Sequence, residues 1–381
     1  TLGLVTFWFT REDAIWIVPF IVVVTIIASI MILFAKPRNW KMARNKIALF
    51  FVPCIGILFF TIVISSINFM VYGVYMTNEL NEGNFPKALQ AMYSVKDDTP
   101  VPYVSVSRNK LEKLYEVSPT LHSIKDTFDQ RYTFWSACGR NQNNGEIEDG
   151  WFFWALRESA QIEGYHIDAK TAQIFYGSIY DEIMQAINNN QLETQPTMPS
   201  ALMSPWRKGY MPKILETMGE EIRYITSFDK ITTELTPSVS NDQVETDYFE
   251  GLTNNKAIDS ETEKQIWTVR YRQRYVDRLN FITKIYQITG TFAAVAGVLS
   301  YMIITVFYIV GIRKRDYKYQ DTWLILTGIL GSFLVLIGGV AYSHVSAFPS
   351  IFYPYLAGAY PLVIAFWTIA VAKLVDNLKK R

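Results

Sequence analysis

Arginine side chains recur at a four-residue interval just before the third long apolar stretch of the chain. Arg270, Arg274 and Arg278 fall on one helical face, and Trp267 and Tyr271 fall on the neighbouring face. Guanidinium groups bind phosphate through paired hydrogen bonds, so this stripe predicts a site for an anionic lipid headgroup or another lipid-linked phosphate. The alternative is that these arginines pair with acidic residues of the segment that precedes them.

A second group of polar side chains could hold a cation. The loop after Cys138 contains Asn141, Asn143, Glu146, Glu148 and Asp149, and clustered oxygen ligands suit Ca²⁺. The spacing of the glycines fails the EF-hand pattern, which favours a solvated loop. The three histidines lie far apart in sequence, and no zinc, phosphate-loop or serine-hydrolase motif occurs. We therefore expect no metal and no cofactor.

The aromatic run Trp151–Trp154 admits two interpretations. Its planar apolar faces could stack on a sugar ring, or they could form part of a helix-packing core. Packing explains the run better, because its neighbours are typical of an ordinary helix.

A long helix must position the arginine stripe. Ser260 and Glu263 form a capping box that predicts a helix start, and residues 259–312 are predicted to form one continuous helix. No ionisable side chain occurs from Ile285 to Ile312, which is enough apolar length to cross a bilayer. The predicted rod therefore begins in water and ends in lipid.

The whole chain of 381 residues alternates between apolar and polar phases. Five apolar segments are long enough to predict transmembrane helices: residues 14–35, 47–75, 285–312, 322–343 and 345–372. The predicted fold is an α-helical integral membrane protein, with a mainly α extracytoplasmic domain inserted between spans two and three. The predicted domains are two N-terminal spans, the inserted domain, the long helix with the third span, and the last two spans: 1–75, 76–258, 259–312 and 313–381.

Charge distribution predicts the topology. Residues 76–283 carry 21 Lys and Arg against 30 Asp and Glu, whereas the rest of the chain carries 15 against 5. Outside residues 76–283, the basic residues cluster in two short connections between spans and at the C-terminal end of the chain. The positive-inside rule assigns these three regions to the cytoplasm. The N-terminus and the insert are then outside. Isolated cysteines and the lack of Asn-x-Ser/Thr acceptors favour a bacterial cytoplasmic (inner) membrane with a periplasmic domain.

The insert shows helix punctuation. Asp168 is a predicted N-cap for a helix over 169–188, and Ser118 is a predicted N-cap for a helix continuing to Trp135. A further amphipathic helix follows the segment 204–209, which predicts either a turn or a contact with headgroups. Residues 232–255 are polar and without period, which predicts a long loop or marginal strands.

Two stretches of the insert resemble segments of uncharacterised bacterial multi-span envelope proteins: 103–119 and 150–159. The last span, with Tyr353-Pro-Tyr and Ala359-Tyr-Pro361, is similar to the final helices of polytopic lipid-linked-sugar transferases. That resemblance implies a catalytic acid in an early outer loop, where this chain offers only Glu12 and Asp13. No catalytic residue is therefore assigned.

Small residues in the last three spans predict close helix packing, within the chain or against a partner. They are Gly290, Ala294, Gly297, Gly328, Ser332 and Gly339. Together with spans that lack ionisable groups, they favour a non-catalytic subunit or accessory protein of an envelope or membrane complex. The expected partners are membrane lipids and other membrane subunits or a second copy, and not nucleic acid. The alternative is a membrane enzyme or binding protein for lipid-linked glycans or phospholipid headgroups.

Overall fold

A computed structural model describes most of the chain. The described residues are 2–10, 17–34, 40–98, 100–140, 144–198, 200, 203–229, 231, 243–253, 267–351 and 353–379. Within them the chain is helical, no strand forms, and one isolated antiparallel bridge joins Val95 to Thr194. The predicted capping box at Ser260 and Glu263 lies outside these residues.

Within the described residues, the helices follow one another in this order: α1 (Leu2–Thr10), α2 (Val18–Phe34), α3 (Trp40–Phe50), α4 (Val52–Tyr72), α5 (Asn84–Ser94), α6 (Arg108–Val117), α7 (Pro119–His122), α8 (Lys125–Ala137), α9 (Asp149–Ile162), α10 (Ala169–Asn188), α11 (Tyr210–Thr226), α12 (Gln243–Thr253), α13 (Trp267–Lys314), α14 (Gln320–Ser346), α15 (Tyr353–Leu356) and α16 (Ala359–Lys379).

Among the described residues, four stretches of helix are long and apolar enough to cross a membrane: Trp40–Tyr72, Arg272–Lys314, Gln320–Ser346 and Ala359–Asn377. They overlap the apolar segments predicted as the second to fifth spans. The first predicted span corresponds to α2, which has 17 residues and is therefore about 25 Å long. The chain thus has the helices of a membrane protein, and a count of five spans stays a prediction.

The chain divides into two compact units. The first comprises Thr1–Glu221 and Leu330–Gly358, and the second comprises Ile222–Ile329 and Ala359–Arg381.

In the first unit, helices α5 to α10 form a lobe around one apolar core, which we call the helical lobe. The helix α10 packs against α5, α6 and α7, and α8 packs against α9. One face of α10 enters the core because Phe175, Ile179 and Ile183 recur at helical spacing. The backbone N–H of Thr171 donates to the Asp168 carboxylate over 2.7 Å, which confirms the predicted N-cap.

The predicted helix from Pro119 to Trp135 is wrong as a single element, because it forms two helices. The Ser118 hydroxyl accepts from the Leu121 N–H and caps α7 as predicted. The chain then leaves helical geometry at Ile124, with φ −104° and ψ 4°, before α8 begins. Ile124 is fully buried, so the break turns an apolar side chain into the core of the helical lobe.

The prediction of a loop or marginal strands over 232–255 is also wrong in part, because residues 243–253 form α12. Val244, Tyr248 and Leu252 recur every four residues, a helical period that is easy to overlook in so short a polar stretch. The remainder of that segment lies outside the described residues.

In the second unit, α13 packs along α16. A Cβ added to Gly297 would lie 2.6 Å from the Trp367 ring, and one added to Gly290 would lie 2.5 Å from the Thr226 carbonyl oxygen. These two glycines therefore permit close packing within the chain. Polar side chains also bond between helices here, since the Trp323 indole N–H donates to the Thr305 hydroxyl over 3.1 Å.

The other residues predicted for helix packing differ in their surroundings. Ala294 and Gly328 are half-buried, and Ser332 is buried. Gly339 is exposed, and a Cβ added there would meet nothing within 4 Å.

Candidate functional site

The structure describes only part of the predicted arginine stripe. The side chains of Trp267, Arg270 and Tyr271 lie outside the described part of the chain. Arg274 and Arg278 are exposed on α13, and neither forms an ion pair with another described residue. The site for an anionic headgroup on α13 therefore stays a prediction.

A different basic pocket lies in the first unit, where the loop before α6, the start of α11 and the end of α14 meet. It has a volume of about 170 Å³. Its lining residues are Pro102, Tyr103, Arg207, Lys208, Gly209, Tyr210, Lys213 and Val345. Three cationic side chains and two phenols thus surround one small cavity.

Local backbone geometry shapes the pocket wall. Gly209 has φ +91°, a conformation that favours glycine, and α11 begins at the next residue. Tyr103 also has a positive φ, of 65°. The Arg207 guanidinium holds this loop by donating to the Val101 carbonyl over 2.5 Å and to the Val104 carbonyl over 2.6 Å. Arg207 therefore fixes the wall of the pocket as well as its charge.

A buried polar network also holds the loop that contains Tyr103. The Asp149 carboxylate accepts from the Ser105 backbone N–H and from its hydroxyl, both over 2.5 Å, and the Asp149 N–H donates to the Tyr103 carbonyl over 2.9 Å. Burial raises the pKa of Asp149 to about 6, and the bonds from Ser105 oppose that rise. The network ties the start of α9 to the pocket loop.

Lys110 is almost fully buried in the same region. Its ammonium group donates to the Ser105 carbonyl over 2.9 Å and to the Tyr93 carbonyl over 3.2 Å. Burial lowers the pKa of Lys110 to about 8, and the charges of Asp97 and Asp149 oppose that shift. Because its donors are directed at carbonyls inside the lobe, Lys110 holds the fold and does not face the pocket lining.

Arg140 joins the helical lobe to the last turn of α14. Its backbone N–H donates to the Glu148 carboxylate over 2.5 Å, its Nε lies 3.5 Å from the same oxygen, and its Nη1 donates to the His344 carbonyl over 2.7 Å. The guanidinium also lies 3.8 Å above the centre of the Tyr103 ring. A cation is favourable at a helix C-terminus, where carbonyl groups lack helical partners.

The pocket provides an electropositive surface with a hydrogen-bond donor. Lys208 and Lys213 are exposed and form no ion pair within the described residues. Burial raises the pKa of Tyr210, so its hydroxyl stays protonated at neutral pH, and it makes no hydrogen bond to another described residue. Such a pocket suits a phosphate or carboxylate group.

The described acidic residues of the predicted cation loop bind different partners. Asn141 and Asn143 lie outside the described residues. Glu146 accepts from the Tyr132 hydroxyl over 2.7 Å and from the Arg108 N–H over 3.0 Å, so it faces away from the partners of Glu148 and Asp149. Within the described residues, no group of three or more His, Cys, Asp or Glu side chains could hold a metal ion.

The aromatic run that could have stacked on a sugar contributes mainly to packing. Phe152 is buried in the core of the helical lobe, and Trp151 lies between Trp135 and Phe348 with ring centres 6.2 and 6.4 Å away. Trp154 is 42% exposed. Phe153 also packs against that core, so the packing interpretation holds for the first three residues of the run.

Sequence reasoning noted the segment 204–209 but did not join it to a pocket. The available signal was the sequence Trp206-Arg-Lys-Gly209, followed by Lys213 one helical turn into α11. Its meeting with Tyr103 and Val345 could not be read from a sequence, because these residues are more than a hundred positions away.

Comparison with known proteins finds no family model, no curated protein and no solved structure that matches this chain. The site residues are therefore assigned from geometry and chemistry alone.

Proposed function

We propose that this protein is a non-catalytic integral membrane subunit or accessory protein of an envelope or membrane complex. In this proposal α2 is the first of five spans, the N-terminus and the helical lobe lie outside, and the basic connections and the C-terminal end lie in the cytoplasm of a bacterial cell. The exposed basic residues of α3, Lys41, Arg44 and Lys46, support that topology. The resemblance to multi-span envelope proteins belongs to the same proposal.

The surface of α4 carries the proposal. None of the most apolar window of Trp40–Tyr72, the stretch that contains α3 and α4, is buried within the chain, whereas 22 to 33% of the corresponding window is buried in the other three candidate spans. Helices associate in membranes through close side-chain packing, and α4, although it contacts α1, leaves one face with Leu58, Phe59 and Ile62 exposed. We assign this surface to a partner helix from another membrane subunit or from a second copy.

Purification of the full chain in mild detergent tests the proposal. We expect a stoichiometric partner, or a second copy, to remain bound. Leu58→Trp and Ile67→Trp add bulk on opposite sides of α4, and at least one of them should release the partner. Val306→Trp, at an exposed position on α13, is the matched control and should retain it. A chain that purifies as a monomer in every case contradicts the proposal.

The basic pocket favours a second candidate function, a membrane-bound binding protein or enzyme for lipid-linked glycans or phospholipid headgroups. Arg207, Lys208 and Lys213 offer charge for a phosphate beside a candidate span. A monomer that carries bound lipid phosphate after purification would support this candidate. Gln substitutions at Arg270, Arg274 and Arg278 then ask whether α13 contributes: lost lipid phosphate places the site there, and unchanged lipid phosphate places it elsewhere.

A further inference from the structure

The surface of α11 has three distinct sectors within the first unit. One sector is buried and includes Tyr210, Ile214 and Thr217. A second sector is polar and exposed, with Lys213, Glu216 and Glu220. A third sector, apolar and exposed, lies on the other side of the buried sector from the polar one.

The exposed apolar sector consists of Met211 and Leu215, which are 54% and 61% exposed, and it is bordered by Met218, which packs in part against the buried cluster. Their spacing of four and three residues places them on one face of the helix. Trp206, just before the helix, is 47% exposed. A polar sector nearly opposite an apolar one is typical of helices that lie in the interface of a bilayer.

The buried sector fixes the level of α11 relative to a candidate span. Tyr210 and Ile214 pack against Ala341, Tyr342 and Val345, which lie in the last two turns of α14. The candidate span in α14 ends at Ser346. The exposed apolar sector of α11 therefore lies beside the end of a candidate span.

Aromatic and basic side chains at this level complete the pattern. The Trp206 ring stacks on the Tyr342 ring, with centres 6.0 Å apart and planes within 8° of parallel, and the Tyr342 hydroxyl donates to the Ser204 carbonyl. Tryptophan and tyrosine are enriched at headgroup level. Lys208 and Lys213 lie at the pocket beside them, where they complement the charge of lipid phosphates.

We infer that Trp206 and α11 form an interfacial membrane anchor. The apolar sector lies in the boundary between headgroups and acyl chains, and the basic pocket takes the phosphate of an anionic phospholipid. This inference rests on the proposed membrane location, and it holds for either of the two candidate functions. The competing occupant of the same sector is a protein partner, which would protect it from lipid as well as from water.

Fluorescence quenching in a bilayer tests the inference. The full chain with Cys54→Ser and Cys138→Ser, both free and exposed in the native chain, receives single cysteines through Met211→Cys, Leu215→Cys or Glu216→Cys. Each is labelled with a small environment-sensitive fluorophore and reconstituted into bilayers of phosphatidylcholine and phosphatidylglycerol in equal parts. A lipid-borne quencher and aqueous iodide then report on the surroundings of each label.

We expect the labels at positions 211 and 215 to be quenched several-fold more by the lipid-borne quencher than the label at 216, and less by iodide. Equal iodide quenching at all three positions overturns the inference. Protection from both quenchers at 211 and 215 also overturns it, because a protein partner would then cover the sector. Leu299→Cys on α13 separates two failures: lipid quenching at 299 without quenching at 211 refutes only the interfacial anchor, whereas no lipid quenching at 299 refutes the membrane location as well.

A second measurement tests the pocket. Phosphatidylglycerol retained by the purified chain is quantified for Lys208→Gln/Lys213→Gln and for Lys96→Gln/Lys113→Gln. The control lysines are exposed and form ion pairs on the helical lobe. We expect several-fold less lipid with the first pair and no change with the second. Equal retention, or competition by free inorganic phosphate without any preference for lipid, overturns the assignment of the pocket to a phospholipid.

Discussion

Glu221, on the buried side of α11, should make the stability of this protein fall as pH rises. Its side chain is fully buried, and neither carboxylate oxygen has a hydrogen-bond partner among the described residues. Burial raises the pKa of Glu221 from 4.5 to about 8, and the neighbouring charge of Glu220 adds to the rise. The folded protein therefore holds a proton here that the unfolded chain releases.

Linkage gives the sign and the size of the effect. Between about pH 4.5 and pH 8 the unfolded state binds fewer protons at this group than the folded state, so the free energy of unfolding decreases with rising pH. The free energy of unfolding should fall by about 1.4 kcal/mol for each pH unit in this range, or by roughly 2–3 kcal/mol between pH 5 and pH 7. Stability from this group is complete below the unfolded pKa and is lost towards the folded pKa.

The Glu221→Gln variant removes the titration but keeps the shape of a neutral carboxyl group. We expect the variant to be more stable than the native chain at pH 7, and its unfolding temperature in detergent to vary less between pH 5 and pH 8. Glu216→Gln, on the exposed sector of the same helix, is the matched control and should leave the native pH dependence in place. An identical pH dependence for the native chain and Glu221→Gln would refute the reasoning.

Three further predictions concern the helical lobe and are checked by thermal or denaturant unfolding of the full chain. Arg140→Met leaves the buried Glu148 without its cation and should cost about 3–5 kcal/mol, and adding Glu148→Gln should restore much of the loss; no recovery in the double variant would contradict the pairing. Asp168→Ala removes the cap of α10 and should cost about 0.5–2 kcal/mol, whereas Lys170→Ala next to it should be nearly neutral. Gly150→Ala would place a Cβ 2.4 Å from the Phe348 ring and should cost about 1–3 kcal/mol, with Phe348→Ala relieving the contact; equal stability of Gly150→Ala and the native chain would show that the ring moves freely.

Structural features that depend on residues close together in the sequence could be predicted from the sequence. The bounds of α10 and its Asp168 cap follow from one capping side chain and one apolar stripe, and both are confirmed. Apolar length likewise identified the stretches that are long enough to cross a membrane. The helix break at Ile124 was missed because packing overrides the local helical preference there, and α12 was missed because only four apolar residues carry its pattern.

The candidate site depends on tertiary structure. Tyr103, Arg207 and Val345 line one pocket although they lie more than a hundred residues apart in pairs, and no local pattern encodes that meeting. Glu221 reads in the sequence as one of several acidic residues on a helix, yet packing removes it from solvent. The sequence alone determines the long amphipathic helices and the segments that are apolar enough for lipid, because propensity, capping and hydropathy act over a few turns. Only the folded chain decides which charges face a cavity and which are buried, because burial and electrostatic fields arise from residues that are distant along the chain.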